Sequence, residues 1–574
     1  MLDAAERHAA ASEMRPNSRA TCALILISFA APTVALAQRS AGPVRSASAR
    51  PPAGSVITPA EIDGHLRFLS SDLLEGRAPA TRGGELAASY IASQLRAAGI
   101  EPGAEHGSYL QNVPIDVVGA DSSSIHVTAS GRATGSLSYP KDVVVWAGSA
   151  VRESRAAGEL VFVGYGAKAP EYGWDDFKGA DLKGKILLVL VNDPPALPDE
   201  PKLFGGKAMT YYGRWTYKFE EAERQGAAGM LIVHTTERAG YPWHTVVGSW
   251  AKEQRMLPRD TGGAAPIGVR GWITDSAATA LLQRAGLDLA QLRERAARRD
   301  FRPVPTGVLI DASFRNSVAH LESQNVVGLL RGSDPVQRDE YVAYSAHWDH
   351  LGIGPKVGGD SIYNGASDNA SGVADLLAIA RAAANRPRPL RSQLFVFVTA
   401  EESGLLGSEY FARHPTVPVQ SLVANLNMDG GNLLGRVRDL NVLGDTKSSL
   451  GPMLAAMIRP MGMRISPDDH PEQGHFYRSD HFAFARVGVP AVSIGAGNDY
   501  VGRAAGWGLE QDDDYTAHRY HQPSDEYRPD FDLRGAAQLA EIVLKLGTSL
   551  ANSRAYPSWN PDAEFRRPAV KPKA

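Results

Sequence analysis

The sequence contains a single cysteine, Cys22, among its 574 residues. An intramolecular disulfide is therefore excluded, and stability must come from apolar cores, which the hydrophobic content of 43% can supply. The chain also lacks an excess of either charge, because 60 Lys and Arg residues stand against 63 Asp and Glu residues. Without a long run of like charge, the sequence does not indicate nucleic acid or an anionic membrane as a partner.

An apolar stretch near the amino terminus is the next feature. Residues 22–36 (CALILISFAAPTVAL) follow Arg15 and Arg19 and end at the small-residue site Ala35–Leu36–Ala37. This is the pattern of a secretory signal peptide, and the stretch is shorter than the about 20 residues that a membrane span needs. We expect a periplasmic or secreted protein with no stable membrane insertion after cleavage, whose translation starts at Met14.

Ligand-type side chains follow several apolar, strand-like runs in the second half of the chain. They are His347 after YVAYSA, Glu401 and Glu402 after LFVFVTA, and Asp429 after SLVANLNM, with Asp349, Asp368 and His521 in AHWDHLG, ASDNASG and RYHQPSDE. In open parallel α/β sheets the ligand crevice lies at the carboxyl ends of the strands. Residues that are distant in the chain are therefore expected to converge on one rim.

The residue types suit a site for two metal ions. Zn²⁺ accepts imidazole nitrogen and carboxylate oxygen, and a catalytic site keeps one position open for water. Two ions about 3.5–4 Å apart need a bridging carboxylate, ligands of their own and a further carboxylate that takes a proton from water. For any single residue a solvated loop position is the alternative. Spacing alone does not decide which of Glu401 and Glu402 is ligand and which is base, since neighbours in extended chain point in opposite directions.

These stretches, together with FYRSDHFAFARVGVPAVSI, resemble the successive motifs of a known superfamily. It is that of zinc-dependent aminopeptidase Y, glutamate carboxypeptidase and the transferrin receptor. The similarity covers about residues 315–550, and LSSDLLEGRAPATRGGELAASYIASQLRAAGIEPG, within about residues 56–115, resembles the family's amino-terminal helix region. The resemblance implies the zinc exopeptidase fold, an α/β fold with a mixed, mostly parallel sheet sandwiched by helices.

The resemblance also implies a role for each candidate residue. The implied ligands are His347, Asp368 and Asp429 for one zinc ion and Asp368, Glu402 and His521 for the other. Asp368 would bridge the two zinc ions of each chain. Glu401 would be the general base that deprotonates the water between the ions. Asp349 would orient the His347 ring without itself binding zinc.

Several residues close to these motifs receive other interpretations. His350 reads as a loop or packing histidine, and Asp480 and His481 are expected to brace the site through hydrogen bonds rather than bind zinc. Tyr477 and Tyr520 are candidates to donate a hydrogen bond to the developing oxyanion. A buried structural tyrosine is the alternative for both.

Between residues 116 and 312, short apolar runs alternate with glycine-rich turns. GELVFVGYG, DLKGKILLVLVNDPP and RQGAAGMLIVH resemble the protease-associated domain that many superfamily members carry at this place, where it would cover the substrate cleft or act as a spacer. The predicted order is a signal peptide (1–37), a disordered linker (38–55), an amino-terminal part of the peptidase (56–115), the inserted β-rich α/β domain (116–312), the catalytic part (313–551) and a mobile tail (552–574).

The function implied is that of an exported di-zinc exopeptidase, foremost an aminopeptidase acting on the amino termini of peptides or proteins. One alternative is a carboxypeptidase of the glutamate carboxypeptidase type, for which Arg478 is an available cation. A glutaminyl cyclase with one zinc and a non-catalytic binding protein of the transferrin receptor type are the others. Residues 498–518 are expected to form a wall of the substrate pocket, and the sequence does not constrain the oligomeric state.

Overall fold

The computed structural model describes residues 56–260 and 262–567, which all belong to one compact unit. The predicted signal peptide, the predicted linker and residues 568–574 of the predicted tail lie outside the described residues. Within the described ranges, no helix is both long enough and apolar enough to cross a membrane.

Helices and strands alternate along the described chain. The helices are α1 (Pro59–Leu69), α2 (Arg82–Ala97), α3 (Trp215–Arg224), α4 (Thr236–Ala239), α5 (Trp243–Trp250), α6 (Asp275–Arg284), α7 (Leu289–Ala296), α8 (Gly372–Ala384), α9 (Leu406–Arg413), α10 (Leu450–Ile458), α11 (His481–Arg486), α12 (Trp507–His518) and α13 (Arg534–Asn552). The strands are β1 (Glu101–Pro102), β2 (Leu110–Ala120), β3 (His126–Gly131), β4 (Gly135–Ser136), β5 (Val143–Ala147), β6 (Glu153–Phe162), β7 (Lys168–Ala169), β8 (Trp174–Asp175), β9 (Ile186–Leu190), β10 (Gly229–His234), β11 (Gln254–Met256), β12 (Val269–Thr274), β13 (Val304–Leu330), β14 (Tyr341–His347), β15 (Gly352–Val357), β16 (Asp360–Tyr363), β17 (Ser392–Val398), β18 (Leu422–Asn427), β19 (Asp439–Leu443), β20 (Arg464–Ser466) and β21 (Ala491–Ala496).

The sheet that carries the candidate residues has a parallel centre. Its strand order is β11-β2-β13-β17-β14-β18-β21-β19-β20. β17, β14, β18 and β21 run parallel to one another, and antiparallel strands flank them on both sides. His347 ends β14 opposite Val398, which ends β17. The carboxyl ends of the central strands therefore lie at one edge of the sheet.

Helices cover both faces of this sheet because successive side chains of a buried strand point to opposite sides. In β17, Phe395 and Phe397 belong to the core that includes α1, α2, α8 and α13. Leu394, Val396 and Val398 of the same strand belong to a second core that includes α9 and α11. The predicted α/β fold class, with a mixed sheet between helices, is confirmed.

A second sheet lies within the predicted insert. Its order is β5-β12-β10-β9-β6-β13-β3-β4, and α3, α5, α6 and α7 accompany it in the chain. The long strand β13 is common to both sheets, since its first half pairs with β3 and β6 and its second half with β2 and β17. The predicted limits of the insert fall inside β2 and β13. The assignment of this region to the protease-associated domain stays a prediction.

Candidate metal centre

The candidate ligands lie at the carboxyl edge of the parallel strands. His347 is the last residue of β14, Glu402 follows β17, and Asp429 follows β18. Asp368 lies in the turn Ala366–Ser371 before α8, and His521 lies shortly after α12. The five predicted ligands thus come from five separate segments.

The first group of ligand atoms surrounds the ring of His347. Its Nε2 atom lies 3.2 Å from Oδ1 of Asp368 and 3.2 Å from Oδ1 of Asp429. The ring is buried, with only 1% of the side chain exposed. These three residues offer donor atoms that all lie within 4.8 Å of one another, which is the spacing of ligands around one ion.

The second group surrounds the ring of His521. Its Nε2 atom lies 3.3 Å from Oδ2 of Asp368 and 3.1 Å from Oε2 of Glu402. Asp368 therefore turns one carboxylate oxygen toward each imidazole. A carboxylate in this position can be shared by two ions.

The donor set fits zinc in chemistry and in spacing. Tetrahedral Zn²⁺ with bonds of about 2.0 Å to nitrogen and oxygen has its ligand atoms about 3.3 Å apart. The separations of Nε2 of His347 and of His521 from their carboxylate partners, 3.1–3.3 Å, match that edge length. Zinc in this centre would be held by the two groups of residues just described.

The candidate centre gathers several acidic side chains around two imidazole rings. Burial raises the pKa of Glu401 well above its ordinary range, against the opposing effect of His347. Burial would also raise the pKa of Asp368, but hydrogen bonds with His347 and His521 hold it well below its usual value. Burial would lower the pKa of His521, yet its contacts with Asp368 and Glu402 raise it to about 10. The centre thus contains more carboxylates than imidazoles, and divalent cations would neutralise this excess of negative charge.

Asp349 lies close to both the predicted base, Glu401, and the predicted ligand His347. Its Oδ1 atom accepts a hydrogen bond from the backbone N–H of Glu401 at 3.1 Å and lies 3.8 Å from Nδ1 of His347. The backbone carbonyl of Asp349 is closer to that nitrogen, at 3.2 Å. The residue is fully buried, which raises the pKa of its carboxyl to about 6. The segment from His347 to Asp349 thus holds both the imidazole and the peptide N–H of Glu401.

His350 contacts the centre, which the sequence interpretation missed. Its Nδ1 atom lies 2.7 Å from Oε1 of Glu402, and it forms a second candidate ligand group with Glu402 and Asp368. Its other ring nitrogen is buried and has no hydrogen-bond partner in the described part of the chain. The signal in the sequence was its place beside Asp349 in the motif HWDH.

Asp525 is a further residue that sequence reasoning did not single out. Its buried carboxylate accepts hydrogen bonds from the backbone N–H groups of Ser367 at 3.0 Å and Asp368 at 3.1 Å, and from the Tyr515 hydroxyl at 3.2 Å. It therefore fixes the turn that presents Asp368. The only sequence signal was its position in RYHQPSDEY, four residues after His521.

Arg77, from the amino-terminal part, supports the same two loops. The buried guanidinium donates to the carbonyl oxygens of Trp348 at 2.9 Å and Gly365 at 3.0 Å, and also to those of Leu69 and Asn364. Trp348 lies beside His347 and Gly365 lies in the segment that leads to Asp368. One side chain thus connects the loops that carry the two ligands.

The two tyrosines considered as oxyanion donors have different surroundings. The ring of Tyr520 stacks on that of His521 with centroids 3.9 Å apart. The hydroxyl of Tyr477 instead donates to Glu564 at 2.5 Å and accepts from Lys447 at 3.0 Å. Of the two tyrosines considered as oxyanion donors, only Tyr520 has its ring against a candidate ligand.

A cavity of about 350 Å³ opens beside the centre. Asp429 belongs to its lining, and the segment predicted to form a pocket wall contributes Tyr500, Gln511 and Asp512. Leu433 and Phe531 add apolar surface. The cavity therefore presents both polar and apolar groups next to the candidate ligand Asp429, and residues of the predicted wall line it.

Comparison with known proteins assigns this region to a family. A protein-family model described as "Peptidase family M28" matches residues 325–547, which contain every candidate ligand. Residues 325–547 are therefore similar to peptidase family M28. The predicted resemblance to the zinc aminopeptidase superfamily is confirmed for the region that carries the centre.

Three curated proteins that are similar to this chain are named aminopeptidases. Aminopeptidase NAALADL1 of Mus musculus is 29% identical over 282 residues, covering 46% of this chain and 34% of that protein. Aminopeptidase YwaD of Bacillus subtilis is 25% identical over 272 residues, covering 47% and 45%. The probable leucine aminopeptidase 2 of Aspergillus oryzae is 28% identical over 232 residues, covering 39% and 43%. The chain spans less than half of the length of each.

Solved structures similar to this chain include two aminopeptidases. The aminopeptidase from Aneurinibacillus sp. strain AM-1 is 19% identical, with a TM-score of 0.46, and the match covers 91% of this chain and 98% of that one. BSAP, a zinc aminopeptidase from Bacillus subtilis, is 19% identical with a TM-score of 0.39, and the match covers 86% and 94%.

Proposed function

We propose that the protein is a metallo-aminopeptidase that uses two zinc ions. The observation that carries this proposal is the carboxylate of Asp368, whose two oxygens lie 3.2 and 3.3 Å from Nε2 of His347 and of His521. One ion would be held by His347, Asp368 and Asp429 and the other by Asp368, Glu402 and His521. When bound, two such ions polarise a substrate carbonyl and lower the pKa of water.

Glu401 is the proposed general base. Glu402, beside it, lies against His521 and His350, so the two adjacent carboxylates have different surroundings. Burial gives Glu401 a raised pKa, which makes its carboxylate a better proton acceptor than an exposed one. The carboxylate takes a proton from the attacking water while the water oxygen bonds to the carbonyl carbon. It then passes this proton to the leaving nitrogen as the peptide bond breaks.

Asp349 and Asp525 hold this arrangement in place. Asp349 fixes the backbone of Glu401, and Asp525 fixes the backbone of Asp368. Residues that orient a ligand or base in this way commonly change metal affinity or activity when they are lost. The amino-terminal direction of cleavage is proposed from the curated relatives, which are named aminopeptidases.

We also propose that the enzyme is exported and acts on peptides outside the cytoplasm. The support is the sequence pattern of residues 15–37, with two arginines, an apolar stretch and a small-residue site. Detection of a mature chain that begins at Gln38 in the periplasm or medium would test this, whereas a chain that keeps its leader in the cytoplasm would contradict it.

The activity is tested with aminoacyl anilides and the variant Glu401→Gln. Wild-type protein loaded with zinc should release aniline from at least one aminoacyl anilide, and a chelator should stop the release. Glu401→Gln should lose turnover while it retains wild-type zinc content, because the residue accepts protons rather than binding metal. Glu322→Gln, an exposed matched substitution, should behave as wild type. Near-normal activity of Glu401→Gln would contradict the proposed base.

A further inference from the structure

Helix α12 places one of its faces along the cavity beside the metal centre. Gly508, Gln511, Asp512 and Tyr515 of this helix all belong to the cavity lining. Neighbouring lining positions of the helix lie three or four residues apart, the spacing that puts residues on the same side of a helix. Leu509, on another side, is 42% exposed. α12 is therefore a wall between the cavity and the solvent.

The start of α12 packs closely against the chain that precedes it. The ring of Trp507 packs on that of Tyr500 with centroids 5.2 Å apart. A Cβ atom at Gly508 would lie 2.4 Å from the carbonyl oxygen of Asn498, so a larger residue does not fit there. The first turn thus fixes the position of the helix along the cavity.

Tyr515, two turns further along, connects the cavity with the metal centre. Its hydroxyl donates to Oδ2 of Asp525 at 3.2 Å. The same oxygen accepts the backbone N–H of Asp368 at 3.1 Å. Both Tyr515 and Asp525 belong to the cavity lining. Because Asp368 is the ligand proposed for both ions, a single carboxylate lies between the cavity wall and the shared ligand.

Tyr515 also contacts the segment that carries His521. Its backbone carbonyl accepts the N–H of Tyr520 at 2.9 Å, and the two tyrosine rings lie edge to face with centroids 6.2 Å apart. Tyr520 in turn stacks on His521 at 3.9 Å. A displacement of Tyr515 would therefore reach two of the proposed ligands, Asp368 and His521.

The cavity has the size and the lining to take one amino-acid side chain. Its volume of about 350 Å³ is at the lower end of the range of about 300–1,000 Å³ for ligand pockets. The lining includes Asp429 of the centre and the apolar side chains of Leu433 and Phe531. A group that fills this space displaces water from the hydrogen bond between Tyr515 and Asp525.

We propose that Tyr515 is a positioning residue that makes turnover depend on how fully the cavity is filled. This inference rests on the proposed function, since a scissile carbonyl at the metal centre leaves the cavity to the side chain of the amino-terminal residue. A hydrogen bond from which water is excluded is stronger, and no bond to water can replace it. A large side chain therefore tightens the hold of Tyr515 on Asp525 and of Asp525 on Asp368. The side chain then raises kcat as well as lowering KM.

The test compares wild type with Tyr515→Phe on the anilides of glycine, alanine, leucine and phenylalanine. The substitution removes only the hydroxyl, and water can take its place while the cavity is partly empty. In a filled cavity, loss of a hydrogen bond to a charged group should lower the rate about tenfold. The ratio of kcat for the faster of the two large residues to kcat for alanine should therefore fall about tenfold, with little change in the corresponding ratio of KM.

Tyr212→Phe is the matched control. The Tyr212 hydroxyl also donates to a carboxylate, that of Glu171 at 2.7 Å, and both residues lie in the insert. This variant should keep the wild-type ratio of kcat. A merely structural role of Tyr515 would lower kcat by the same factor for every anilide or would raise KM alone, and either result would overturn the proposal.

A measurement without turnover separates this inference from the proposed function. Zinc affinity is measured by competition with a chromophoric chelator in equal concentrations of free leucine or free glycine, which chelate zinc through the same groups. Because linkage is reciprocal, a side chain that tightens the hold on Asp368 also tightens zinc binding. Wild type should bind zinc about fivefold or more tightly with leucine than with glycine, and Tyr515→Phe should lose this difference.

The outcomes of the two experiments are distinguishable. Equal zinc affinities of wild type in leucine and in glycine would overturn the role of Tyr515, even if the anilides are hydrolysed. Absence of all hydrolysis, with the difference between leucine and glycine present in wild type and lost in Tyr515→Phe, would overturn the proposed function and support the role of Tyr515.

Discussion

Removal of the Asp525 carboxylate should lower the affinity for zinc although no proposed ligand is substituted. Asp525 accepts hydrogen bonds from the N–H groups of Ser367 and Asp368 at 3.0 and 3.1 Å, and it is only 2% exposed. In Asp525→Ala these two donors lose their charged acceptor inside the protein. The turn that presents Asp368 to both halves of the centre then loses its support.

The size of the effect follows from the bonds that are lost. A hydrogen bond to a charged group contributes about 1.5 kcal/mol or more, so two of them contribute about 3 kcal/mol to the free energy of unfolding. Loss of a residue that orients a ligand typically weakens metal affinity about 10–100-fold. Asp525→Asn keeps one carbonyl oxygen as an acceptor, and we expect its effects to be about half as large in free energy.

Zinc affinity is measured by competition with a chromophoric chelator, and stability by urea unfolding of the metal-free protein. The matched control is Asp530→Asn, because Asp530 is 70% exposed and pairs with Arg528 at 3.0 Å on the surface. Such a surface pair contributes about 0–1 kcal/mol. If Asp525→Ala bound zinc within twofold of wild type, the argument that this carboxylate positions Asp368 would be wrong.

Three further predictions follow from the same geometry. His350→Ala should lower zinc affinity about tenfold or more, measured by the same competition, since the ring lies 2.7 Å from Glu402; unchanged affinity would make His350 a packing residue. Arg77→Met should lower the free energy of unfolding by about 3 kcal/mol or more, because four buried carbonyl groups lose their donor; a loss below about 1 kcal/mol in urea unfolding would contradict this. Chelation should lower the melting temperature by several degrees, and restored zinc should reverse the change, because ions that bind only the folded state stabilise it. An unchanged melting temperature would argue against a bound metal.

Much of the centre was predictable because apolar runs in the sequence show where the buried strands end. The apolar runs YVAYSA, LFVFVTA and SLVANLN correspond to β14, β17 and β18, and the residue that ends or follows each run lies at one edge of the sheet. Every residue of β17 is buried because helices cover both faces of the sheet, which explains why the run is apolar throughout. Local pattern alone is sufficient for such elements.

The supporting residues were not predictable in the same way, because their partners lie far away in the chain. Arg77 donates to the carbonyl of Trp348, and Asp525 accepts from the N–H of Asp368. Neither residue type nor spacing reports such a contact before the fold is known.

The boundaries of the insert illustrate a different limit of sequence reasoning. A boundary between residues 312 and 313 falls within β13, a single strand of 27 residues that belongs to both sheets. Buried and less buried residues alternate without a break across residues 312 and 313, so the sequence pattern offers no mark at that point. The insert is therefore joined to the catalytic sheet through a continuous backbone rather than a flexible linker.

Zinc stoichiometry by native mass spectrometry tests the central claim most directly, since the account requires two ions that share Asp368. Wild-type protein should carry two zinc ions per chain. His347→Ala and His521→Ala should each retain one, and Asp368→Ala should retain none under the same conditions. A wild-type chain that saturates at one zinc ion, or an Asp368→Ala variant that still holds two, would contradict the shared centre.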